Sequence, residues 1–396
     1  MTTLDPRRSE AFRDPQLAPR LLQGIQALVD RLAPADGRPL QFMEVCGTHT
    51  MAIAKAGLRS LLPANLRLLS GPGCPVCVTA NADIDRIIAL TNLSEVTVAT
   101  FGDMLRVPGS SSSLAERRAT GAAVSVVYSP LDALRLAEQQ PERQIVFIGV
   151  GFETTAPIIA ASLVRARAEH RRNFSVLTAL KLVPPALRAL LEDPALRLDG
   201  LILPGHVSTI LGLEPYRFIA ENYQMPAVIT GFEPLDILMG VYQLLLQLEV
   251  RATGARLAVG NAYARAVPAE GNPVARARLA EVFQTTDAIW RGLGPIPASG
   301  LVCRPEFAEF DASQKWELTV EPTVETPGCR CGEVLRGVLL PPQCPHFGRS
   351  CTPLHPLGPC MVSSEGSCAA YYKYGIGGTE DQLDDAWFAG SGDLCQ

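Results

Sequence analysis

Long apolar runs are missing from the chain. Its most hydrophobic stretch, Leu235 to Val250, is broken by Asp236, Gln243, Gln247 and Glu249, so nothing in it reads as a membrane span. The opening MTTLDPRRSEAFRDP carries charge and proline but no apolar core, and so lacks the pattern of a secretion signal. Charge is scarce as well: 19% of residues, with Lys+Arg 35 against Asp+Glu 40 for a net −5. The basic residues are scattered and form no stripe that could track phosphates, which argues against nucleic acid as a partner. The expected compartment is the cytoplasm, where disulfides are not generally maintained and cysteines serve as metal ligands or redox groups.

What is present is a foldable chain of 396 residues, 47% hydrophobic, enough for one large core or two to three ordinary ones. It carries eleven cysteines, and they are segregated. Cys46, Cys74 and Cys77 lie near the start, the other eight from Cys303 onward, and none between Val78 and Val302. Two thiol-bearing regions separated by a cysteine-free spacer are expected.

The hydrophobic pattern alternates short β-rich runs with longer amphipathic ones. After a helix over Ser9–Leu32, strands are expected at Leu40–Val45, Leu66–Ser70, Val96–Phe101, Val124–Tyr128, Ile145–Val150, Phe174–Ala179, Gly200–Leu203 and Ala227–Thr230. Helices are expected at His49–Leu62, Asn81–Thr91, Leu131–Gln140, Thr155–Arg172 and Pro234–Leu248. Such alternation implies an α/β fold with parallel sheets covered by helices. From about Glu321, Pro, Gly and Cys dominate and periodicity fades, so a metal or cofactor is expected to supply order there. The expected division is a first α/β domain over 1–140, a second over 141–232, and a helical and loop-rich, Cys-rich domain over 233–396.

The unusual loops follow strands directly: Cys46-Gly47-Thr48-His49, Gly71 to Cys77, Phe101-Gly102-Asp103, Gly151-Phe152-Glu153, Pro204-Gly205-His206 and Gly231-Phe232-Glu233. In open α/β sheets the crevice beyond the carboxyl ends of the strands is the usual binding site. Cys74 and Cys77 form a C-x2-C at a strand-to-helix turn, where a helix N-terminus favours thiolate over thiol. The pair suits a nucleophile, a metal ligand or a reversible disulfide, against the bland reading of small buried residues. Cys46 can approach it only through the fold. His49 and His206 suit proton carriers, metal ligands or hydrogen-bonded loop residues. Asp103 and Glu153 suit holding a lysine, orienting a histidine or capping a helix. The Gly-Phe-Glu triplet occurs twice, a faint hint of internal symmetry.

In the tail, Cys329, Cys344, Cys351 and Cys368 read C-x14-C-x6-C-x16-C. There are no paired C-x2-C units of a zinc ribbon and no C-x2-C-x2-C run of a bacterial ferredoxin. Four thiolates on widely spaced loops suit a cuboidal iron-sulfur cluster, with a four-thiolate zinc site as the alternative. Cys331 competes with Cys329 for the first position, Cys360 adds a further thiol, and Cys303 and Cys395 stand apart.

With these residues in view the chain resembles the HypD family, the scaffold proteins of NiFe-hydrogenase maturation. The resemblance rests on FMEVCGTHT (42–50), SGPGCPVCVT (70–79), FGDMLRVPG (101–109), GFETTAP (151–157), LPGHVS (203–208), the cysteine series from 329, and MVSSEGSCAAYYKYG (361–375). It implies two α/β domains and a third binding a 4Fe-4S cluster through Cys329, Cys344, Cys351 and Cys368. It implies assembly of an iron centre bearing two cyanides and one carbon monoxide, together with a small HypC-type chaperone, before delivery to the hydrogenase large subunit. Cys46 is then the expected iron ligand, and Cys74 and Cys77 are further ligands or a dithiol-disulfide pair. His49 and Glu153 become site residues, with Asp103 and His206 weaker candidates.

The resemblance also implies that cyanide arrives from a thiocyanate on a HypE-type protein at two electrons per cyanide, so redox support from cluster and dithiol is expected. Soft thiolates suit low-spin iron(II). Donors such as Thr48 and His49 would orient the cyanide nitrogens in a sheltered crevice. On this reading the protein is a maturation scaffold with redox activity rather than a conventional turnover enzyme. The competing readings are a stand-alone, iron-sulfur-dependent thiol-disulfide oxidoreductase, which needs no Cys46, and a zinc-stabilised interaction module.

Overall fold

The computed structural model describes residues 16–375. Within them the eight expected strands are all present: β1 (Leu40–Glu44), β2 (Leu66–Ser70), β3 (Val96–Thr100), β4 (Val124–Val126), β5 (Gln144–Gly151), β6 (Phe174–Leu180), β7 (Gly200–Pro204) and β8 (Ala227–Thr230). The short β9 (Gly260–Asn261) completes one parallel sheet in the order β2-β1-β7-β8-β9, and a second parallel sheet runs β4-β3-β5-β6. The fold is therefore α/β with two parallel sheets, followed by a Cys-rich region. The strands are apolar almost throughout, as strands buried on both faces must be.

The chain forms two compact units, each drawn from separated segments. Among the described residues, the first comprises 16–74, Leu191–Gly271 and 333–375; the second comprises Pro75–Leu190 and Asn272–Gly332. This interleaving departs from the three consecutive segments cut at 140 and 232. Its cause is sheet order: β7 inserts beside β1, so strands distant in sequence share one core. The helix Pro234–Ala252, expected to open a separate third domain, instead buries Ile237, Val241, Leu244, Leu245 and Leu248 in the same cluster as Leu40, Phe42 and Leu68 of the first sheet. Helix α1 (Leu17–Leu32) joins that cluster through Leu17, Leu21, Ile25, Leu28 and Val29, the three-to-four spacing of an amphipathic helix. The start expected at Ser9 lies outside the described residues.

In the second unit, β3, β5 and β6 pack with the helices Pro130–Gln139 and Ala156–Ala168 around Phe147, Ile159, Leu163 and Phe174. An antiparallel hairpin, β10 (Phe283–Trp290) and β11 (Gly294–Cys303), belongs to this unit and carries a register shift between Thr286 and Ala288. Each Gly-Phe-Glu triplet follows the middle strand of three, β3-β5-β6 or β7-β8-β9. No helix among the described residues is long and apolar enough to cross a membrane.

Candidate functional site

At the carboxyl edge of the first sheet, Cys46 leaves β1 in extended conformation and serves as N-cap of helix α2 (Gly47–Lys55). Its buried sulfur receives the backbone N–H groups of Thr48 and His49, the orphan donors that any helix start presents. Burial outweighs them and, with the Glu365 and Glu44 carboxylates nearby, pushes the Cys46 thiol up to about 12. Behind Cys46 lies a buried acid. The Glu44 carboxylate accepts from the Cys46 amide at 3.1 Å and from the hydroxyls of Thr50 and Ser70. Desolvation nevertheless raises it from 4.5 to about 7.

The tail closes over this turn. Thr48 Oγ1 donates to Glu365 Oε1 at 2.7 Å, and a side chain at Gly47 would run into Glu365, whose Cβ lies 2.5 Å from the position of the added atom. The Gly-Pro-Gly-Cys turn approaches from the other side: the Gly47 amide donates to Gly73 O at 2.9 Å. A Cβ at Gly73 would sit 2.1 Å from the Cys46 nitrogen. The turn carrying Cys74 is thus laid directly against the backbone of Cys46. Cys74 and Cys77 are disulfide-bonded, and the Ser363 hydroxyl lies 3.3 Å from the Cys74 sulfur. Cys77 is fully buried in the short helix Pro75–Val78, where Pro75 occupies the first position.

His49 is buried, with Nε2 2.9 Å from Gly231 O and 2.8 Å from Thr230 Oγ1. A carbonyl can only accept, so Nε2 carries the proton and Nδ1 presents a lone pair. That Nδ1 has no hydrogen-bond partner. Desolvation holds the ring neutral, its pKa brought down to about 4. The Phe232 ring lies tilted against both histidine rings, with centroids 4.7 Å from His49 and 4.0 Å from His206. In this arrangement His49 can accept but not donate, and the Thr48 hydroxyl is committed to Glu365. The two side chains expected to donate to cyanide nitrogens are therefore both otherwise engaged.

Glu153 belongs to the second unit, at the end of β5. Its Oε1 accepts from the Val183 amide at 2.9 Å, while its buried Oε2 has no partner. Desolvation raises this carboxyl from 4.5 to about 7. Nearby in the chain, Lys181 at the end of β6 is buried and pairs with Asp83 at 3.1 Å. Asp103 sits half-buried in the turn Gly102–Arg106 after β3.

Among the tail cysteines, Cys344, Cys351 and Cys368 lie in the first unit and Cys329 and Cys331 in the second. The Cys344 and Cys368 thiols lie close enough to Cys351 to raise its pKa, which burial raises most, while the Leu357 and Gly358 amides oppose the shift. The Leu357 amide donates to the Cys351 sulfur at 3.4 Å. Among the described residues no group of three or more His, Cys, Asp or Glu side chains is gathered closely enough to hold a metal ion. The donor chemistry still fits a multi-iron group: soft thiols that repel one another once ionised, on a loop that turns amides toward sulfur. Cys303 is buried in the core of the second unit, Cys360 is buried in the first, and Cys395 lies outside the described residues.

Comparison with known proteins agrees with this motif set. The HypD family model, described as the hydrogenase formation hypA family, matches residues 16–375. The chain belongs to the HypD family. It is 46% identical over 372 residues to the hydrogenase maturation factor HypD of Rhodobacter capsulatus, covering 92% of this chain and 97% of that protein. It is 44% identical over 366 residues to the HypD of Escherichia coli K12, covering 92% and 97%. This HypD chain is accordingly a hydrogenase maturation factor.

Two residues beside Cys46, Glu44 and Glu365, and one in the second unit, Lys181, were not legible as site residues in the sequence. Glu44 was signalled by a lone carboxylate inside the apolar strand Phe42 to Val45. Glu365 lies within the quoted Ser363-Ser364-Glu365-Gly366, but only the fold places it against Cys46. Lys181 was signalled by a lysine at the end of an apolar strand.

Proposed function

We propose that this chain is the scaffold on which an iron centre with two cyanides and one carbon monoxide is assembled, held jointly with a HypC-type chaperone and passed on to the hydrogenase large subunit. The observation that supports it most is the state of Cys46. A thiol held near 12 is a poor free nucleophile at neutral pH, because almost none of it is thiolate. A metal ion removes that difficulty, since a coordinating thiol is deprotonated outright. The Thr48 and His49 amides then stabilise the sulfur's charge, and burial keeps water from the iron cargo.

The bare Nδ1 of His49, on a ring that burial keeps neutral, offers a hydrogen-bond acceptor at the site. Cys74, whose Gly-Pro-Gly turn lies against the Cys46 backbone, is disulfide-bonded with Cys77, and this pair is the group we assign to two-electron supply when cyanide is taken from a HypE-type donor. Cys344, Cys351 and Cys368, with Cys329 or Cys331, would hold a 4Fe-4S cluster, which stores single electrons when bound. The fully formed disulfide also favours a second reading, a stand-alone thiol-disulfide oxidoreductase.

Anaerobic co-purification with a HypC-type partner tests the proposal. Infrared bands of iron-bound cyanide and carbonyl are expected, and Cys46→Ala is expected to abolish them while the cluster absorbance remains. Bands that survive in Cys46→Ala would remove Cys46 as an iron ligand. Disulfide reductase activity that persists without Cys46, in a protein that never shows the bands, would favour the second reading.

A further inference from the structure

Arg291 lies outside the sequence motifs, yet it is buried and fully engaged. It occupies the turn after β10. Its backbone amide donates to Val78 O at 2.8 Å and its Nε to Thr79 O at 3.1 Å, the carbonyls that immediately follow Cys77. Its Nη2 reaches Asn81 Oδ1 at 3.3 Å and its Nη1 reaches Glu325 Oε2 at 2.7 Å. Glu325 is part of a strap without helix or strand, residues 316–330, that leads to Cys329. The strap is pinned by the same region of the fold. Asn81 Nδ2 donates to Val324 O at 2.7 Å, the Val324 amide donates to Ser110 Oγ at 2.8 Å, and Thr323 Oγ1 donates to Asp85 Oδ2 at 3.0 Å. Beyond the strap, Gly292 and Gly332 are in backbone contact, with Gly332 O 2.5 Å from where a Gly292 Cβ would stand. All these residues lie in the second unit.

We propose that Arg291 is a positioning residue that couples the oxidation state of Cys74 and Cys77 to the strap leading to Cys329. The proposal rests on the redox reading of that pair. In the oxidised chain the cross-link restrains Pro75–Val78, and the carbonyls at its end are held by Arg291. Reduction breaks one S–S bond, takes up two electrons and two protons, and yields two thiols; a dithiol reductant supplies both and is itself oxidised to a disulfide. The released turn no longer fixes Val78 and Thr79, so the fork of Arg291 loses the frame that aims it at Asn81 and Glu325. The strap then opens more often. Coupling of this kind is reciprocal: freeing the strap must ease reduction by the same factor.

Hydrogen exchange of the full chain tests this, followed by mass spectrometry over 320–328 before and after excess dithiothreitol, with thiols counted by alkylation. Reduction should add two thiols and speed exchange of the Val324 amide by about fivefold or more. In Arg291→Gln, and in Glu325→Gln at an exposed carboxylate that folding does not require, oxidised and reduced rates should agree within about twofold. Arg291→Lys keeps the charge but has no fork for the Thr79 and Asn81 oxygens, and should behave as Arg291→Gln. Two added thiols with unchanged wild-type exchange would overturn the coupling and leave the pair redox-active. No added thiols would overturn the redox reading and the coupling together. A full wild-type difference in Glu325→Gln would remove Arg291 and Glu325 as the route.

Discussion

Glu153→Gln isolates the cost of a buried acid. In the folded chain this carboxyl titrates near 7 instead of 4.5, because burial disfavours the charged form and one oxygen has no partner. Between those two values the folded state binds the proton and the unfolded state does not, so stability falls as pH rises through this window. The full shift corresponds to about 3 kcal/mol, lost progressively between about pH 4.5 and 7 and constant above. Glutamine reproduces the protonated form: its oxygen can still accept from the Val183 amide, and it carries no charge. Urea unfolding of both proteins at pH 4.5, 6 and 8 should therefore give profiles that converge at the acid end. The variant should be more stable by up to about 3 kcal/mol at pH 8. Glu44 has a shift of the same sign and His49 one of opposite sign, but both are present in each protein and cancel in the difference. Parallel pH profiles would refute the assignment of a neutral, desolvated Glu153.

Gly73→Ala places a methyl group 2.1 Å from the Cys46 nitrogen and 2.3 Å from the Val45 carbonyl carbon; since both are backbone, the turn must move, and a loss of at least about 2 kcal/mol is expected in denaturant unfolding. An unchanged midpoint would mean that the two turns are not in contact. Cys344→Ala should remove cluster absorbance from anaerobically prepared protein and lower the melting temperature, because metal binding contributes to folding; retained iron and an unchanged melting curve would count against Cys344 as a ligand. Arg265→Met leaves the fully buried Asp236 without the guanidinium that meets both its oxygens at 2.7 and 2.6 Å. A cost of about 3–5 kcal/mol is expected, and a loss under about 1 kcal/mol would show that water replaces the arginine.

The parallel strands were legible because strands buried on both faces leave continuous apolar runs bounded by Gly and Pro, as in Ile145 to Val150. The β10–β11 hairpin was not. Its face is partly exposed, Pro295 and Pro297 fall inside β11, and a register shift breaks the alternation, so neither period survives to be read. The interleaving of the two units was also invisible, since pattern reports which segments are strands but not that β7 inserts beside β1. Helix starts were legible to within a residue or two: those expected at His49, Leu131 and Pro234 begin at Gly47, Pro130 and Pro234, after the N-caps Cys46, Ser129 and Glu233.

The motif around Cys46 shows why its residues had to be read together. Glu44 faces back into the fold and takes the Cys46 amide, fixing how the chain leaves β1. Gly47 leaves room for Glu365, and Gly73 leaves room for Cys46 itself. Thr48 fastens the tail, while Thr50 and Ser70 satisfy the buried acid. Of Phe42 to Thr50, only Cys46 and the bare nitrogen of His49 are left with unspent chemistry at the turn; the remaining polar side chains serve to place that sulfur at the start of a helix. Replacing a positioning residue should therefore alter the reactivity of Cys46 without removing its sulfur, whereas replacing Cys46 should, on the proposed reading, remove the iron ligand and leave the fold. These two outcomes distinguish a site built to hold a metal cargo from a turn whose cysteine is merely buried.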